Sequence, residues 1–585
     1  MYDLVLKGGT VVDGCGGVAF TADVAISGGR IAAVGRVREA TRRTIDARGL
    51  LVTPGFVDVH AHYDGQATWD QRLTPSSWHG VTTVVMGNCG VGFAPVRESN
   101  RDTLIQLMEG VEDIPGAALH EGISWDWESF PDYLDALERK PRDIDVCALV
   151  PHGAVRLHVM GERGAARAAA TTDEIAEMGR LVREAVEAGA FGFSTSRTLN
   201  HRTSTGQPTP MLGAAAAELF GIVAEMRRSG RGAFEVVSDY EDVDAEFGLF
   251  RRIAAETDAR TFVSLNQNKR GGYRRVLDLV TEAAAAGLPM QAQVAVRAIG
   301  LLLGIEATLS PFLLNPVWQQ LARDPAARGL ALRDPSFRQQ LIEAAEDPVH
   351  RFGSYARFYP LEGEPDYEPP PERSVEALAN AADMHPVELL CDLLLADGGQ
   401  GLVYYPIFNY DEGDLEAQRE LLEHPQTIVG LADGGAHVGT ICDASFPTTL
   451  LTHWVRDRSR GPRFDLAWAI KALTADTAAA YELHDRGRIA PGLRADLNLI
   501  DFDALRAGKP ELVADLPAGG RRFVQRPAGY IATLVAGVIT YESGEATGEL
   551  PGQLVRSGRA REVGKPQLAI GGDSSLPRLP LLAQA

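Results

Sequence analysis

Hydrophobic and polar residues alternate in different ways in different parts of this chain. Residues 2–54 form short β-branched runs broken by pairs of glycines, which predicts short strands joined by tight turns. From Gly55 onward, short apolar runs alternate with stretches rich in Ala, Glu and Arg, such as residues 172–188 and 276–286. This alternation indicates βα units around a parallel sheet.

Strand-like runs appear again after about Arg488, so we expect one β-domain built from both ends of the chain. A proline-rich stretch between the two ends does not show the alternation of strand and helix patterns. We interpret it as an insertion that covers one face of the βα domain as a lid. The predicted units are a split β-domain (residues 1–54 and 488–550), a βα body (55–487) with an insertion near 311–371, and a C-terminal arm (551–585).

Composition and charge indicate which kinds of molecule the protein can bind. The 585 residues are 45% hydrophobic and 23% charged, the balance of an ordinary soluble enzyme. The net charge of −21 repels phosphate backbones and anionic lipids, so we expect a small-molecule substrate and neither nucleic acid nor membrane as a partner. The amino terminus has no apolar run of signal-peptide length, which favours a cytoplasmic location. The 5 cysteines are too sparse for a disulfide framework or a CxxC zinc cluster.

The first candidate for chemistry is the segment TPGFVDVHAHYD, in which an apolar run ends in His60 and His62. Side chains two residues apart on a strand point to the same face, so both imidazoles can bind one metal ion. Two polar residues at the end of an ordinary strand would give the same pattern. The pair follows a Pro-Gly turn at the point where the predicted β-domain ends and the βα units begin. This position favours the metal site.

Cys89 is the second candidate, because the strand-like run VTTVVM ends shortly before it and glycines follow it. A thiolate is a soft ligand suited to zinc, although a lone cysteine is more often a buried and inert side chain. Asp433, in the segment QTIVGLADGGAHVG, is also predicted at the end of a strand. Barrel enzymes have their catalytic groups at such strand ends. A carboxylate there can bind a metal and take a proton from water.

Further polar residues follow other apolar runs and are expected on the same rim of a barrel. His437 lies four residues after the aspartate, and His152 follows the run DVCALVP. Arginines in such loops can bind a substrate carboxylate in bidentate fashion, although each of these residues could equally make a structural loop contact. The loop after GFSTS contributes Arg197, His201 and Arg202.

Taken together, these residues resemble the amidohydrolase superfamily, and in particular its D-aminoacylase (N-acyl-D-amino-acid deacylase) group. The resemblance covers residues 1 to about 550. It implies an α/β fold, a distorted (β/α)8 TIM-type barrel with a small β-sandwich domain formed from both termini, and metal-dependent amide hydrolysis. The matching pieces are DLVLKGGTVVDG, PGFVDVHAHYD, GVTTVVMGNCGVGFAPVR, HGAVRLHVMG, GAFGFSTS, DGGAH and DRGRIAPGLRADLNLIDFD.

The resemblance also implies roles for single residues. His60 and His62 match the ligands on the first barrel strand, Cys89 matches the cysteine that replaces the usual bridging carboxylated lysine, and Asp433 matches the aspartate of the eighth strand. Two features depart from the group. The runs GAFEVVSDYE and RTFVSLNQNKR lack the histidines expected on strands five and six, and the basic residue expected after strand six is replaced by Gln267 or Asn268 unless Lys269 supplies it.

We therefore expect a hydrolase with one tightly bound zinc ion (Zn²⁺) held by His60, His62, Cys89 and Asp433, with a second, weaker site left open. Asp433 would move the proton, and the metal, His152 or His437 would polarise the carbonyl. The substrate is expected to be an N-acyl (D-)amino acid or a bulkier amide, bound by Arg197, His201 and Arg202. The alternatives are a cyclic amide, lactone or carbamate hydrolase and a non-catalytic scaffold. Assembly into a homo-oligomer stays open.

Overall fold

The computed structural model describes residues 1–267 and 272–558. Within these ranges, strands dominate both ends of the chain, and strands alternate with helices between them. The strands are β1 (Tyr2–Val11), β2 (Phe20–Ser27), β3 (Arg30–Gly35), β4 (Thr41–Asp46), β5 (Leu51–Pro54), β6 (Phe56–Ala61), β7 (Val81–Met86), β8 (Asp145–Pro151), β9 (Gly192–Arg197), β10 (Ala233–Ser238), β11 (Arg260–Ser264), β12 (Met290–Val294), β13 (Ile299–Leu303), β14 (Tyr359–Pro360), β15 (Val403–Phe408), β16 (Thr427–Val429), β17 (Leu497–Ile500), β18 (Pro510–Leu516), β19 (Gly520–Gln525), β20 (Tyr530–Val535), β21 (Val538–Glu542) and β22 (Glu545–Ala546).

Several helices begin directly after a residue whose side chain caps the helix. Thr171 and Glu174, for example, form a reciprocal capping box at the start of residues 172–188. Two further runs, Leu450–Asp457 and Ala472–Asp476, are π-helical. The α-helices are α1 (Gln66–Trp69), α2 (Arg101–Glu112), α3 (Gly116–Gly122), α4 (Phe130–Glu138), α5 (His152–Met160), α6 (Glu162–Ala165), α7 (Thr172–Ala188), α8 (Ala216–Arg227), α9 (Val243–Thr257), α10 (Tyr273–Ala285), α11 (Pro316–Gln319), α12 (Pro325–Ala331), α13 (Pro335–Ala345), α14 (Val375–Ala381), α15 (Pro386–Leu395), α16 (Glu416–Glu423), α17 (Phe446–Thr449), α18 (Leu466–Lys471) and α19 (Thr477–Ala480).

Eight parallel strands form a barrel in the order β6-β7-β8-β9-β10-β11-β12-β16. Every residue of β6, β7 and β8 is buried, as expected for parallel strands that pack on both faces. A parallel bridge between Ala61 and Gly434 joins the ends of the first and last strands. The last strand has only 3 residues, so the barrel is distorted at this seam. The expected (β/α)8 barrel is confirmed.

A separate sheet of nine strands joins the two ends of the chain. Its order is β22-β21-β20-β17-β5-β1-β2-β3, with β4 paired to β1. The central antiparallel pair sets Leu497 opposite Pro54, so a late strand is hydrogen-bonded directly beside an early one. Side chains such as Leu6, Val24 and Leu534 are fully buried in the core of this sheet, which is separate from the barrel core. The expected β-domain with contributions from both termini is therefore present.

Two further segments, a hairpin and an insertion, reach the carboxyl end of the barrel. The hairpin β18–β19 leaves the β-domain, and the Phe523 N–H donates to the carbonyl of Val438 at 2.6 Å. Between β12 and β16 the chain builds a small antiparallel sheet of β13, β15 and β14 with its own apolar core. This insertion begins with the apolar strand β13, before the proline-rich stretch 311–371, because that run pairs with β15 and not with the barrel.

The described part of the C-terminal arm packs at the amino end of β8 and against α4. Its residues 551–558 bridge to Arg142 and Val146, and Arg556 is paired with two acids of α4. The rest of the predicted arm lies outside the described residues. Among the described residues, no helix is long and apolar enough to cross a membrane.

A buried ionic cluster ties the insertion to the barrel. The Arg458 guanidinium donates to both oxygens of Glu368 at 3.0 Å, and His453 contacts the same carboxylate at 2.9 Å. Burial alone would raise the pKa of Glu368, but its hydrogen bonds with His453 and Arg458 lower it to about 2. The carboxylate is thus charged at neutral pH, and it joins the Arg458 guanidinium and the His453 ring.

We predict that Glu368→Gln lowers the free energy of unfolding by about 2–3 kcal/mol, because Glu416 is then the one acidic partner of Arg458 among the described residues. Differential scanning calorimetry should show a lower melting temperature, while the exposed control Glu362→Gln should melt like the wild type. Equal melting of both variants would contradict a stabilising role for the cluster.

Candidate metal centre

Two histidines and one cysteine converge at the carboxyl end of the barrel. The ligand atoms of His60, His62 and Cys89 lie within 4.8 Å of one another, and all three residues are buried. The Nε2 of His60 is 3.3 Å from the Sγ of Cys89. His60 lies near the end of β6, His62 directly follows that strand, and Cys89 follows β7. The side chains therefore meet because neighbouring parallel strands end at one edge.

Asp433 completes this group from the loop that follows β16. Its Oδ1 is 3.5 Å from the Nε2 of His60 and 3.7 Å from the Nε2 of His62. Burial would raise the pKa of the carboxyl, but the two imidazoles outweigh burial and hold that pKa well below its usual range. Asp433 is therefore an anion that faces both histidines.

The backbone at this edge adopts a conformation that side chains normally avoid. Cys89, Asp433 and His437 have φ values of 55°, 47° and 50°, in the left-handed region that favours glycine. Such strain persists only where the surrounding structure fixes it, and it concentrates at functional sites. Gly435 follows the same pattern with φ 89°, and a Cβ there would lie 2.9 Å from the carbonyl oxygen of His62.

A second layer of side chains fixes the ring of His60. Its Nδ1 lies 2.7 Å from the Oε1 of Gln293 on β12, and the Gln293 amide nitrogen is 3.3 Å from the hydroxyl of Tyr481. Since the amide oxygen only accepts, Nδ1 carries the proton and the Nε2 lone pair faces the cluster. Burial lowers the pKa of His60 to about 4, so the ring is in its neutral, metal-binding form.

Comparisons with known proteins identify the family of this chain. A family model described as an amidohydrolase family matches residues 43–541. The chain belongs to this amidohydrolase family. An N-acyl-D-glutamate deacylase of Alcaligenes xylosoxydans xylosoxydans is 39% identical over 521 residues, which cover 86% of this chain and 88% of the relative. A D-aminoacylase of the same organism is 28% identical over 95% of this chain and 97% of its own length.

A solved structure from a study of the binuclear metal centre in D-aminoacylase also matches this amidohydrolase. It is 25% identical, with a TM-score of 0.64, and the match covers 95% of this chain and 100% of that chain. The resemblance to the D-aminoacylase-like group, inferred above from the motifs, is thus confirmed.

The fifth and sixth barrel strands of this amidohydrolase bring an acid and a serine towards Cys89. The carboxylate of Glu235 on β10 accepts from the Cys89 N–H at 3.1 Å and from the hydroxyl of Ser264 on β11 at 3.4 Å. Burial raises the pKa of Glu235 to about 8. In the sequence this acid lies in the run GAFEVVSDYE, which lacks the histidine expected on strand five, and its contact with Cys89 becomes visible only in the fold.

Among the predicted rim residues, His201 lies near the cluster. Its Nδ1 is 2.9 Å from the hydroxyl of Ser196. Burial, together with the nearby imidazoles of His437 and His62, lowers the pKa of His201 to about 3. The ring is therefore neutral and can donate a hydrogen bond without carrying charge.

The structure does not bring His152 to the cluster. Its Nδ1 lies 2.8 Å from the hydroxyl of Thr195 and its Nε2 lies 2.9 Å from the carboxylate of Glu218. Glu218 also pairs with the buried Arg156. Both ring nitrogens thus take part in a buried hydrogen-bond network, which argues against His152 as the group that polarises a carbonyl.

The two predicted arginines are also placed differently from expectation. Arg197 donates from Nε and Nη2 to the two oxygens of Glu246 at 2.7 Å, and from Nη1 to the carbonyl of Ala214. This bidentate pair leaves Arg197 no donor fork for a substrate. Arg202 is exposed and donates to the carbonyl of Gly206 at 3.2 Å. Lys269, the other basic candidate, lies outside the described residues.

Because Arg197 is paired with an acid and Arg202 is exposed, alanine variants of the two arginines should behave differently. Arg197→Ala should lower the melting temperature, because Glu246 loses its partner. Arg202→Ala should leave melting unchanged and, if this exposed arginine binds the substrate carboxylate, should raise KM by about 10–100-fold, the effect of one charge-assisted contact. Thermal melts and steady-state kinetics of both variants with a carboxylate-bearing amide give the answer. An unchanged KM for Arg202→Ala would place the carboxylate anchor elsewhere.

Proposed function

We propose that this amidohydrolase uses one zinc ion to hydrolyse the amide bond of an N-acyl amino acid. The observation that carries the proposal is the buried group of His60, His62 and Cys89, whose ligand atoms face one another. Two imidazoles and a thiolate are ligands typical of zinc, and Asp433 adds a carboxylate oxygen. Burial and nearby acids raise the pKa of the Cys89 thiol well above its usual range, so a cation is needed to hold the thiolate.

When bound, zinc supplies Lewis-acid catalysis, polarising the amide carbonyl and making water more acidic. The chain's own residues then manage protons and orientation. Asp433 is an anion held between two imidazoles, so it can accept the proton of the attacking water and deliver it to the leaving nitrogen. His201 is a neutral donor close to the cluster, which suits it to stabilise the developing oxyanion.

The number of ions follows from the ligands that are present. In the described part of barrel strands five and six, no histidine faces the cluster, and Glu235 and Ser264 take part in hydrogen bonds there instead. The D-aminoacylase match comes from a study of a binuclear centre. For the present chain we propose one tight zinc site.

The substrate class rests on the relatives. The two relatives described above are named D-aminoacylase and N-acyl-D-glutamate deacylase, and they align over most of their length. The insertion between β12 and β16 lies at the carboxyl end of the barrel and can provide a wall for a bulky acyl group or side chain. We therefore propose an N-acyl-D-amino acid or a bulkier amide as the substrate.

Metal content tests the number of ions. The purified protein should contain about one tightly bound zinc per chain, and His60→Ala should lose it, since a ligand is removed. Elemental analysis after extensive dialysis gives the ratio. Two tightly held ions per chain would contradict the single site and would point to Glu235 or Asn266 as a substitute ligand.

The role of Asp433 is tested separately. Asp433→Asn keeps the shape of the side chain but removes its basicity, so it should retain the fold and much of the zinc while kcat falls by about 10²–10⁴-fold. The assay compares N-acyl-D-amino acids, N-acyl-L-amino acids and cyclic amides. A fully active Asp433→Asn enzyme would remove the aspartate from the mechanism, and turnover of cyclic amides alone would replace the proposed substrate class.

A further inference from the structure

Glu112 is a buried acid that the proposed mechanism does not use. It is the last residue of α2, its exposed fraction is 1%, and its two oxygens face two different histidines. Oε1 is 3.4 Å from the Nδ1 of His62, and Oε2 is 3.6 Å from the Nε2 of His437. Among the described residues, neither oxygen of Glu112 has a hydrogen-bond partner, and the same is true of the Nδ1 of His62.

The position of Glu112 is fixed by its surroundings. Helix α2 packs through buried residues such as Leu104 and Met108. Directly after the helix, Asp113 accepts the N–H of Gly439 at 3.1 Å, which ties the helix end to the loop that carries His437. On the other side, a Cβ at Gly110 would lie 2.1 Å from the backbone of Thr203, so the loop after β9 packs tightly on the same helix. These contacts hold the backbone on both sides of the buried carboxylate.

The location is also unfavourable for an acid in the absence of a partner. The carboxyl end of a helix carries partial negative charge, and an anion buried there costs free energy. Imidazole rings on both sides offset this cost. The acid is therefore matched to the two rings and is not explained by the packing of α2.

We propose that Glu112 is a positioning residue that accepts the Nδ1–H of His62 and so directs the Nε2 of that ring to the metal. Gln293 plays the equivalent part for His60, at 2.7 Å. The second oxygen of Glu112 holds His437 at the rim, so one carboxylate fixes both a ligand and a neighbouring imidazole. Such outer partners orient ligands and strengthen metal binding. The inference rests on the proposed zinc site.

The test compares zinc affinity in three variants of the full-length protein. Glu112→Gln keeps an oxygen acceptor but removes the charge, and Glu112→Met removes both. Asp102→Asn is a matched control, because it makes the same acid-to-amide change at an exposed position of the same helix. Competition with a chromogenic chelator gives the zinc dissociation constant, and circular dichroism and gel filtration report the fold.

Zinc should bind about 10–100-fold more weakly to Glu112→Met, with Glu112→Gln between that variant and the wild type, since loss of such a partner typically costs this much in affinity. Asp102→Asn should match the wild type. If Glu112→Met does not fold, the isosteric Glu112→Gln decides alone. Zinc dissociation constants within twofold of wild type in the folded Glu112 variants would overturn the inference.

The control arms separate this inference from the proposed function. A wild-type protein that binds no zinc would remove the metal site itself. A wild-type protein that binds zinc as tightly as both Glu112 variants would leave the metal site in place and reject only the positioning role. A lower melting temperature of the metal-free variants with unchanged zinc affinity would show that Glu112 serves the packing of α2.

Discussion

The closure of the barrel between its first and last strands is the constraint on which the site depends. The Asp433 N–H donates to the carbonyl of His60 at 3.0 Å, and the His62 N–H donates to the carbonyl of Gly434 at 2.7 Å. These two bonds bring the eighth-strand aspartate against the first-strand histidines. The regular pairing of β16 ends at Val429, and left-handed residues such as Leu431 and Asp433 carry the chain across the seam. The strained backbone is thus the local cost of placing a carboxylate beside two imidazoles.

The second constraint is electrostatic. Burial raises the pKa of Asp58 to about 7 and that of Glu235 to about 8, and it raises the pKa of Cys89 further above its usual range. So many acidic groups in one buried region disfavour their charged forms. A divalent cation would offset this repulsion directly, whereas two imidazoles do so only in part. The site is therefore built for a cation, and its outer residues fix the direction in which each ligand points.

The sequence predicts what depends on strand periodicity and strand ends. The spacing of His60 and His62 sets both rings on one side, and the apolar runs before Cys89 and Asp433 place both at the carboxyl edge of the barrel. The fold class followed from the same alternation and from the family resemblance. The boundaries of the insertion were harder to predict, because the apolar run of β13 reads like another barrel strand until its pairing with β15 is known.

Side-chain direction within a loop could not be predicted. Arg197 and His201 belong to one segment, yet the first pairs with Glu246 and the second lies near the cluster. Helical spacing places Glu112 on the buried face of α2, four residues after Met108, but the pattern does not show which residues it faces. Its contacts come from residues far away in the chain, and only the fold brings them together.

The most direct test of this account is X-ray absorption spectroscopy at the zinc edge of the zinc-loaded wild-type protein. Binding by Cys89, the two histidines and Asp433 predicts one sulfur ligand at about 2.3 Å and nitrogen or oxygen ligands at about 2.0–2.2 Å. The sulfur contribution should vanish in Cys89→Ser. A zinc shell made only of nitrogen and oxygen in the wild type would contradict the account.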